Sequence, residues 1–243
     1  MIQKVDILVF AAHPDDAELG CSGTILNQIH KGNKVAIVDL TKGELGSRGT
    51  AEIRSQESAA STKILGLTAR MNAEFADGFF ESDKEHCLKL VEYIRFFQPE
   101  IVLCNAIHDR HPDHGNGSVL ASRACFLAGL IKIETTWMGE NQLAWRPKNV
   151  YHYIQDRYIQ PDFVVDISNH WEEKMNCILA FKSQFYNPET NLNGEPQTYI
   201  SGKGFLQSVE SRAREFGHSI GVDYGEGFTK EKQLGVIDIF DLI

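Results

Sequence analysis

The sequence predicts an α/β protein: a Rossmann-like, mainly parallel sheet with helices on both faces. Apolar runs of strand length alternate with stretches of helical apolar spacing, the pattern of successive βαβ units. The strongest runs, Val5 to Phe10 and Glu100 to Ala106, read as buried strands. The two most polar clusters, His13 to Asp16 and His111 to His114, fall just after those runs. That is where an open α/β sheet binds its ligands.

The elements follow in order. After the first strand, Ala17 to Lys31 reads as a helix closed by Gly32. Asn33 to Leu40 is a second strand, followed by a glycine-rich loop from Thr41 to Gly49. Thr50 caps a helix to about Leu65, stopped by Gly66. Arg70 to Ala76 is a weaker strand. Ser82 with Glu85 is a capping-box signature, opening a helix through Leu90, Ile94 and Phe97 that Pro99 ends. The strand at 100–106 exits through a loop from Ile107 to Gly115 into a helix from about Asn116 to Leu130. Ile131 to Arg146 is a surface excursion, and Asn149 to Gln155 and Phe163 to Ile167 are two further strands. Trp171, Met175, Ile178 and Leu179 then share one helical face. Tyr186 to Ser201 is a long loop of the kind that is usually functional or mobile. A last helix, Lys203 to Ile220, precedes a short tail. With no repeat or linker, the expectation is one domain over residues 1–243.

Bulk properties narrow the function classes. The 243 residues are 42% hydrophobic and 23% charged, ordinary for a globular chain. Net charge is −9 with no lysine or arginine run, which argues against nucleic acid or an acidic membrane as partner. Five scattered cysteines, without a C-x-x-C pair, fit reduced thiols better than disulfides or a zinc knuckle. The apolar run before His13 is too short for a signal peptide or a membrane span, so the expected location is cytoplasmic.

In a sheet of order 3-2-1-4-5, strands 1 and 4 flank the topological switch point, so the two polar clusters meet. Imidazole and carboxylate ligands suit zinc, and catalytic zinc keeps three protein ligands plus a water. The first cluster offers His13 and Asp16, the second His114. Asp15, beside a ligand but not itself bound, is left to take a proton from the metal-bound water. His111 would face the developing oxyanion or protonate the leaving amine, with Asp113 orienting its ring. Either cluster alone could be a pair of helix caps. Independent caps have no reason to co-locate on strand ends.

The segments Ala12-His13-Pro14-Asp15-Asp16-Ala17-Glu18 and His111-Pro112-Asp113-His114 resemble the LmbE/PIG-L family of zinc-dependent N-acetylglucosaminyl deacetylases. The similarity extends through Asp39-Leu40-Thr41, Gly49 to Arg54, Pro161 to Ser168, Lys182 to Phe185 and Gly225 to Phe228. The resemblance implies one zinc per chain on His13, Asp16 and His114, although such a set also accepts iron, cobalt or manganese. It implies Asp15 as general base, His111 as stabiliser of the tetrahedral intermediate and Asp113 as its partner. It also implies a homo-oligomer, often a hexamer. The chain looks most like the bacillithiol branch, which deacetylates N-acetylglucosaminyl-malate and in which arginines at positions 54 and 110 contact the malate. Arg54 and Arg110 are therefore the expected anion-binding pair.

Glu44 and Arg48 are candidate sugar contacts, while His108, His152 and His170 are read as non-ligands. Phe205 stands at one plausible position for an oxyanion-assisting tyrosine. Three function classes follow. The first is a zinc amidohydrolase acting on a small N-acetylated amino-sugar glycoside, most plainly N-acetylglucosaminyl-malate. The second is the same chemistry on a chitooligosaccharide, glycolipid or thiol conjugate. The third is a nucleotide-binding Rossmann protein, disfavoured because no G-x-G-x-x-G is present.

Overall fold

The computed structural model describes residues 2–186 and 196–242. Much of the anticipated loop at 186–201 lies outside the described residues. A seven-stranded sheet organises the chain. Its strands are β1 (Ile7–Ala11), β2 (Val35–Thr41), β3 (Ala69–Phe75), β4 (Ile101–Cys104), β7 (Asn149–Tyr153), β8 (Phe163–Asp166) and β9 (Gly225–Lys230), and β5 (Thr136–Trp137) and β6 (Glu140–Asn141) form a separate small hairpin. The sheet order is β3-β2-β1-β4-β7-β9-β8. From β3 to β7 every pairing is parallel. β9 runs antiparallel to both β7 and β8. The mainly parallel α/β fold is as the sequence predicts.

Among the described residues six α-helices cover the sheet: α1 (Asp16–His30), α2 (Ala51–Leu65), α3 (Lys84–Phe97), α4 (Pro112–Ala128), α5 (Trp171–Leu179) and α6 (Lys203–Ile220). The side chains of β1 alternate between two cores. Leu8 and Phe10 join the residues of α3 and α4, whereas Ile7, Val9 and Ala11 join those of α1. All five are buried, and each large apolar side chain so buried stabilises the fold by about 1.5–3 kcal/mol. A third cluster ties Leu19 of α1 to Ile178 of α5 and to Phe205 and Val209 of α6.

α1 is not a continuous helix. Cys21 leaves helical geometry at φ −148°, ψ 16°, which frees backbone groups on both sides of it. The buried Lys174 Nζ donates to Glu18 O (3.1 Å) and Leu19 O (2.8 Å), closing the first segment. The buried Glu226 accepts from Gly23 N (2.9 Å) and Thr24 N (2.7 Å), opening the second. Lys174 Nζ and Glu226 Oε1 are themselves 2.7 Å apart. A lysine–glutamate pair thus bridges the break.

Four expectations about elements are corrected. The tail after α6 forms β9, whose Gly-Glu-Gly sequence hid a strand. A Cβ at Gly227 would lie 2.8 Å from the Phe216 ring, so close helix packing explains that glycine. α4 begins at Pro112 rather than near Asn116, because proline is well placed in a first helical turn. Asp83, not Ser82, caps α3, accepting from His86 N at 2.9 Å. The excursion at 131–146 contains the β5–β6 hairpin, whose Trp137 stacks on Phe96. No described helix is long and apolar enough to cross a membrane.

Candidate metal and catalytic site

β1 and β4 are hydrogen-bonded neighbours, so the turn after β1 and the segment after β4 open on the same sheet edge. Asp39, two residues before the end of β2, stands beside Ala11 in register, but its carboxylate is taken up by Arg70. The site is therefore built by the first turns of α1 and α4 with the loops facing them.

Asp16 lies between two histidines. Its Oδ2 is 3.4 Å from His13 Nδ1, and its Oδ1 is 3.2 Å from His114 Nε2. It also accepts from His13 N (2.9 Å), Asn105 Nδ2 (3.1 Å) and Gln155 Nε2 (2.6 Å). Burial disfavours its charge, but His114 and His13 outweigh that and hold the carboxyl well below the usual range. His114 passes its other nitrogen, Nδ1, to Asp109 Oδ2 at 2.7 Å, the carboxylate–histidine pairing common behind metal ligands. Burial would lower its pKa; Asp16 and Asp109 instead raise it to about 9. His13 Nε2 meets Asp77 Oδ1 (3.0 Å) and Asp113 Oδ2 (3.2 Å). Against the cost of burial, these and Asp16 lift His13 well above the ordinary imidazole value.

The three predicted ligands thus share one buried cluster. Donor atoms of His13, His111 and His114 also lie within 4.8 Å of one another, as do those of His13, Asp77 and Asp113. Asp113 Oδ1 is buried and has no hydrogen-bond partner among the described residues. Two imidazoles that bind protons tightly among four carboxylates mark a place short of positive charge. A divalent ion fits it, since metal binding displaces such protons. Imidazole with carboxylate is the donor set of zinc and its first-row neighbours.

Asp15 is placed differently. It occupies the N-cap position of α1, yet its side chain makes no capping bond. Its backbone has φ 117°, a region costly for any residue with a Cβ, at about 1–3 kcal/mol. Asp15 Oδ2 instead pairs with Arg54 Nη2 at 3.0 Å. Burial, opposed by Arg54 and reinforced by Asp16, lifts its carboxyl from 3.8 to about 7. A simple helix-capping account therefore does not explain this residue.

His111 caps α4, and its Nδ1 accepts from Asp113 N at 3.3 Å. Burial and the neighbouring His13 and His114 lower its pKa. With Nδ1 accepting, the neutral ring carries its proton on Nε2. The expected partnership with Asp113 therefore runs through the backbone N–H. The Asp113 carboxylate turns instead to His13 Nε2 and to Gly78 N (2.8 Å).

A cavity of about 280 Å³ adjoins the cluster, lined among others by Asp15, Arg54, His111, Arg110, Gln155 and Tyr199. Both predicted arginines reach it. Arg54 is buried and its Nε lacks a partner among the described residues. Gly43 makes room for it: a Cβ there would fall 1.7 Å from Arg54 Nη1. Arg110 is more exposed, 3.2 Å from Asp156 Oδ2 and stacked over the Tyr199 ring at 4.5 Å. Tyr199 is the cavity's tyrosine, whereas Phe205 is buried in the α5–α6 core.

Glu44 and Arg48 are engaged elsewhere. Glu44 accepts from Asp77 N (2.9 Å) and Lys42 N (3.2 Å), while Arg48 Nε donates to Ser183 O (2.8 Å). His152 is buried, 2.8 Å from Ser118 Oγ and 3.1 Å from Glu231 Oε1. Sequence reasoning missed Asp77, Asn105, Asp109, Gln155 and Tyr199. Asp109 had a findable signal, because a histidine expected to ligate a metal commonly donates its second nitrogen to a nearby carboxylate, backbone carbonyl or water. Gln155, Asp77 and Tyr199 have none, being delivered by distant loops.

The PIG-L family, described as GlcNAc-PI de-N-acetylase, matches residues 8–125. The uncharacterized deacetylase YaiS of Escherichia coli (strain K12) is 35% identical over 167 residues, 64% of this chain and 85% of that protein. Diacetylchitobiose deacetylase of Thermococcus kodakarensis is 28% identical over 189 residues, 74% of this chain and 70% of its own. A hydratase is also similar: 4-oxalmesaconate hydratase of Pseudomonas putida, 26% identical over 192 residues and 73% of each chain. Among solved structures, the conserved protein TT1542 of Thermus thermophilus has a TM-score of 0.85 at 34% identity, covering 97% of this chain and 98% of that one.

Proposed function

This chain belongs to the PIG-L family of deacetylases, and on that premise we propose that it hydrolyses the acetamide of an N-acetylglucosaminyl glycoside whose aglycone is anionic, N-acetylglucosaminyl-L-malate of bacillithiol synthesis. The observation that carries the chemistry is the pairing of the His13–Asp16–His114 cluster with an adjacent carboxyl raised to about 7. The whole chain is read as one catalytic domain. All five cysteines are free and buried, which supports a reducing, cytoplasmic setting.

His13, Asp16 and His114 would hold a single zinc ion, which would supply Lewis acidity and make a nearby water more acidic. Asp15 takes the proton from the attacking water, a task best suited to a base with a pKa near the working pH. Arg54 anchors that carboxylate. Neutral His111 turns its Nε2–H to the developing oxyanion, the role its lowered pKa favours over that of proton donor to the amine. Asp113 holds the His111 ring through its backbone N–H and His13 through its carboxylate.

The aglycone reading rests on Arg54 and Arg110, two guanidinium groups facing one cavity. A planar fork with an unpartnered Nε suits a carboxylate. Acetate release from N-acetylglucosaminyl-malate, N,N'-diacetylchitobiose and N-acetylglucosamine is the direct test. The malate glycoside is expected to be the best substrate, and Arg110→Ala to cut that preference by tenfold or more. Equal rates on the malate glycoside and the chitobiose, in both proteins, would transfer the assignment to the chitooligosaccharide class. The 28% identical diacetylchitobiose deacetylase keeps that second reading in view.

A homo-oligomer is also proposed. Exposed apolar side chains such as Phe126, Met138, Ile237 and Phe240 offer surface for it, and light scattering of the purified protein checks it.

A further inference from the structure

At the end of α1 opposite Asp16, roughly 20 Å along the helix at its 1.5 Å rise, three further metal-ligating side chains meet. His30 is the last residue of α1, His170 ends a short 3-10 turn (Ser168–His170), and Glu173 lies in the first turn of α5. The rings of His30 and His170 have centroids 4.7 Å apart, with their planes at 52°. His170 Nδ1 is 3.1 Å from Glu173 Oε2. One donor atom from each residue lies within 4.8 Å of the other two. We infer that His30, His170 and Glu173 form a second divalent transition-metal site, separate from the cluster around His13.

The donor set selects the class of ion. Two imidazoles and one carboxylate suit zinc and its late first-row neighbours, whereas magnesium and calcium prefer all-oxygen shells. Zinc–nitrogen bonds of about 2.0–2.1 Å place two donors of one ion about 3.3 Å apart. His30 is exposed and the Glu173 side chain is 47% exposed, so both have room to change rotamer toward a shared ion. His170 itself is held, its side chain only 14% exposed, which gives the site one pre-positioned ligand. Three protein donors at the surface leave the other coordination positions to water.

Sequence spacing supplies only part of this arrangement. His170 and Glu173 are three residues apart, the distance that aligns neighbours on a helical face. His30 comes from elsewhere in the chain, carried in by the packing of α1 on α5. Glu172 adds a second carboxylate to the same helical turn. An ion there would tie the end of α1 to the entry of α5, the two helices that Lys174 already joins at the break. Binding to the folded state alone then stabilises the fold by mass action.

The test is a titration of the zinc-loaded, full-length protein with Zn²⁺ alone, with bound metal counted after gel filtration. Wild type, His30→Ala, His170→Ala and Glu173→Gln are compared. The expected result is one further zinc per chain in wild type. Its affinity falls at least tenfold in each histidine variant and several-fold in Glu173→Gln. Acetate release and the first zinc stay at wild-type levels in all three, and Mg²⁺ does not compete. If wild type takes up no additional zinc, or the variants take it up unchanged, the three residues are a hydrogen-bonded surface cluster only. The readout is a difference in stoichiometry between proteins, so it stands or falls apart from the deacetylase reading.

Discussion

Two buried charge clusters flank the first turns of α1, and they are built to opposite rules. At the break in the helix, Lys174 and Glu226 satisfy each other and the backbone around them. Glu226 accepts from Gly23 N, Thr24 N, Thr24 Oγ1 and Lys174 Nζ, and all three Lys174 donors have partners. At the candidate site, four carboxylates crowd two imidazoles, Asp113 Oδ1 is left without a partner among the described residues, and Asp15 sits on a strained backbone. A closed cluster holds the fold together. The open one, where we propose that a cation binds and a proton moves, carries a cost in stability that the closed cluster helps to offset.

The sharpest way to break this comparison is to neutralise one group in each cluster. Asp15→Asn is expected to lower acetate release by about 10³-fold or more, within the range a positioned base contributes. Its bound metal and its urea midpoint should stay near wild type. Lys174→Met should do the reverse. Removing one partner of a buried pair costs about 3–5 kcal/mol, read as a fall in unfolding free energy, with turnover per folded molecule largely kept. The double variant Lys174→Met/Glu226→Gln should recover part of that loss, because no uncompensated carboxylate remains. If Asp15→Asn proves as destabilising as Lys174→Met, the distinction between the clusters fails.

A smaller effect is expected from Asp109→Asn, which keeps the shape behind His114 but removes its charge. Metal affinity should fall about 10–100-fold, measured by competition with a chromophoric chelator. Unchanged affinity would make Asp109 part of a structural cluster like that of Glu226.

The smallest effect is a displacement along the pH axis. In the proposed mechanism Asp15 works ionised, and Arg54 is the foremost of the cations that oppose the rise of its pKa. Arg54→Met therefore raises that pKa further and shrinks the ionised fraction at any given pH. The acid limb of kcat/KM should move to higher pH, with activity lost on acidification sooner than in wild type. A limb that stays in place would detach Arg54 from the base.

How much could be seen beforehand varied with the physics involved. The buried strands β1, β2 and β4 were legible because continuous apolar runs of that length have few alternatives. α2 was legible from its caps, Thr50 and Gly66, with Thr50 accepting from Ile53 N at 3.3 Å as the cap reading requires. β9 was not, because Gly225 and Gly227 lower strand propensity and make sense only in the packed fold, Gly225 against Val164 and the α6 backbone and Gly227 against the Phe216 ring. In the site, the meeting of His13, Asp16 and His114 could be foreseen from two short motifs and a topology rule. Asp77, Gln155 and Tyr199 could not, since nothing local distinguishes them from ordinary surface residues.

Local order along the chain was enough to specify the parallel sheet, the strand ends that face one another, and the residue types able to hold a metal and a base there. Those properties follow from apolar period and from which side chains carry lone pairs. Assigning each group its state needed the folded chain. Asp15 and Asp16 are adjacent and chemically identical, yet one carboxyl is lifted to about 7 and the other held well below its ordinary value. The difference lies in what surrounds them: Arg54, with a weaker pull from His13, against burial and the neighbouring carboxylates at Asp15; two histidines and three further donors at Asp16. Sequence names the titratable group, but its charge is decided by neighbours that only the tertiary structure brings within reach.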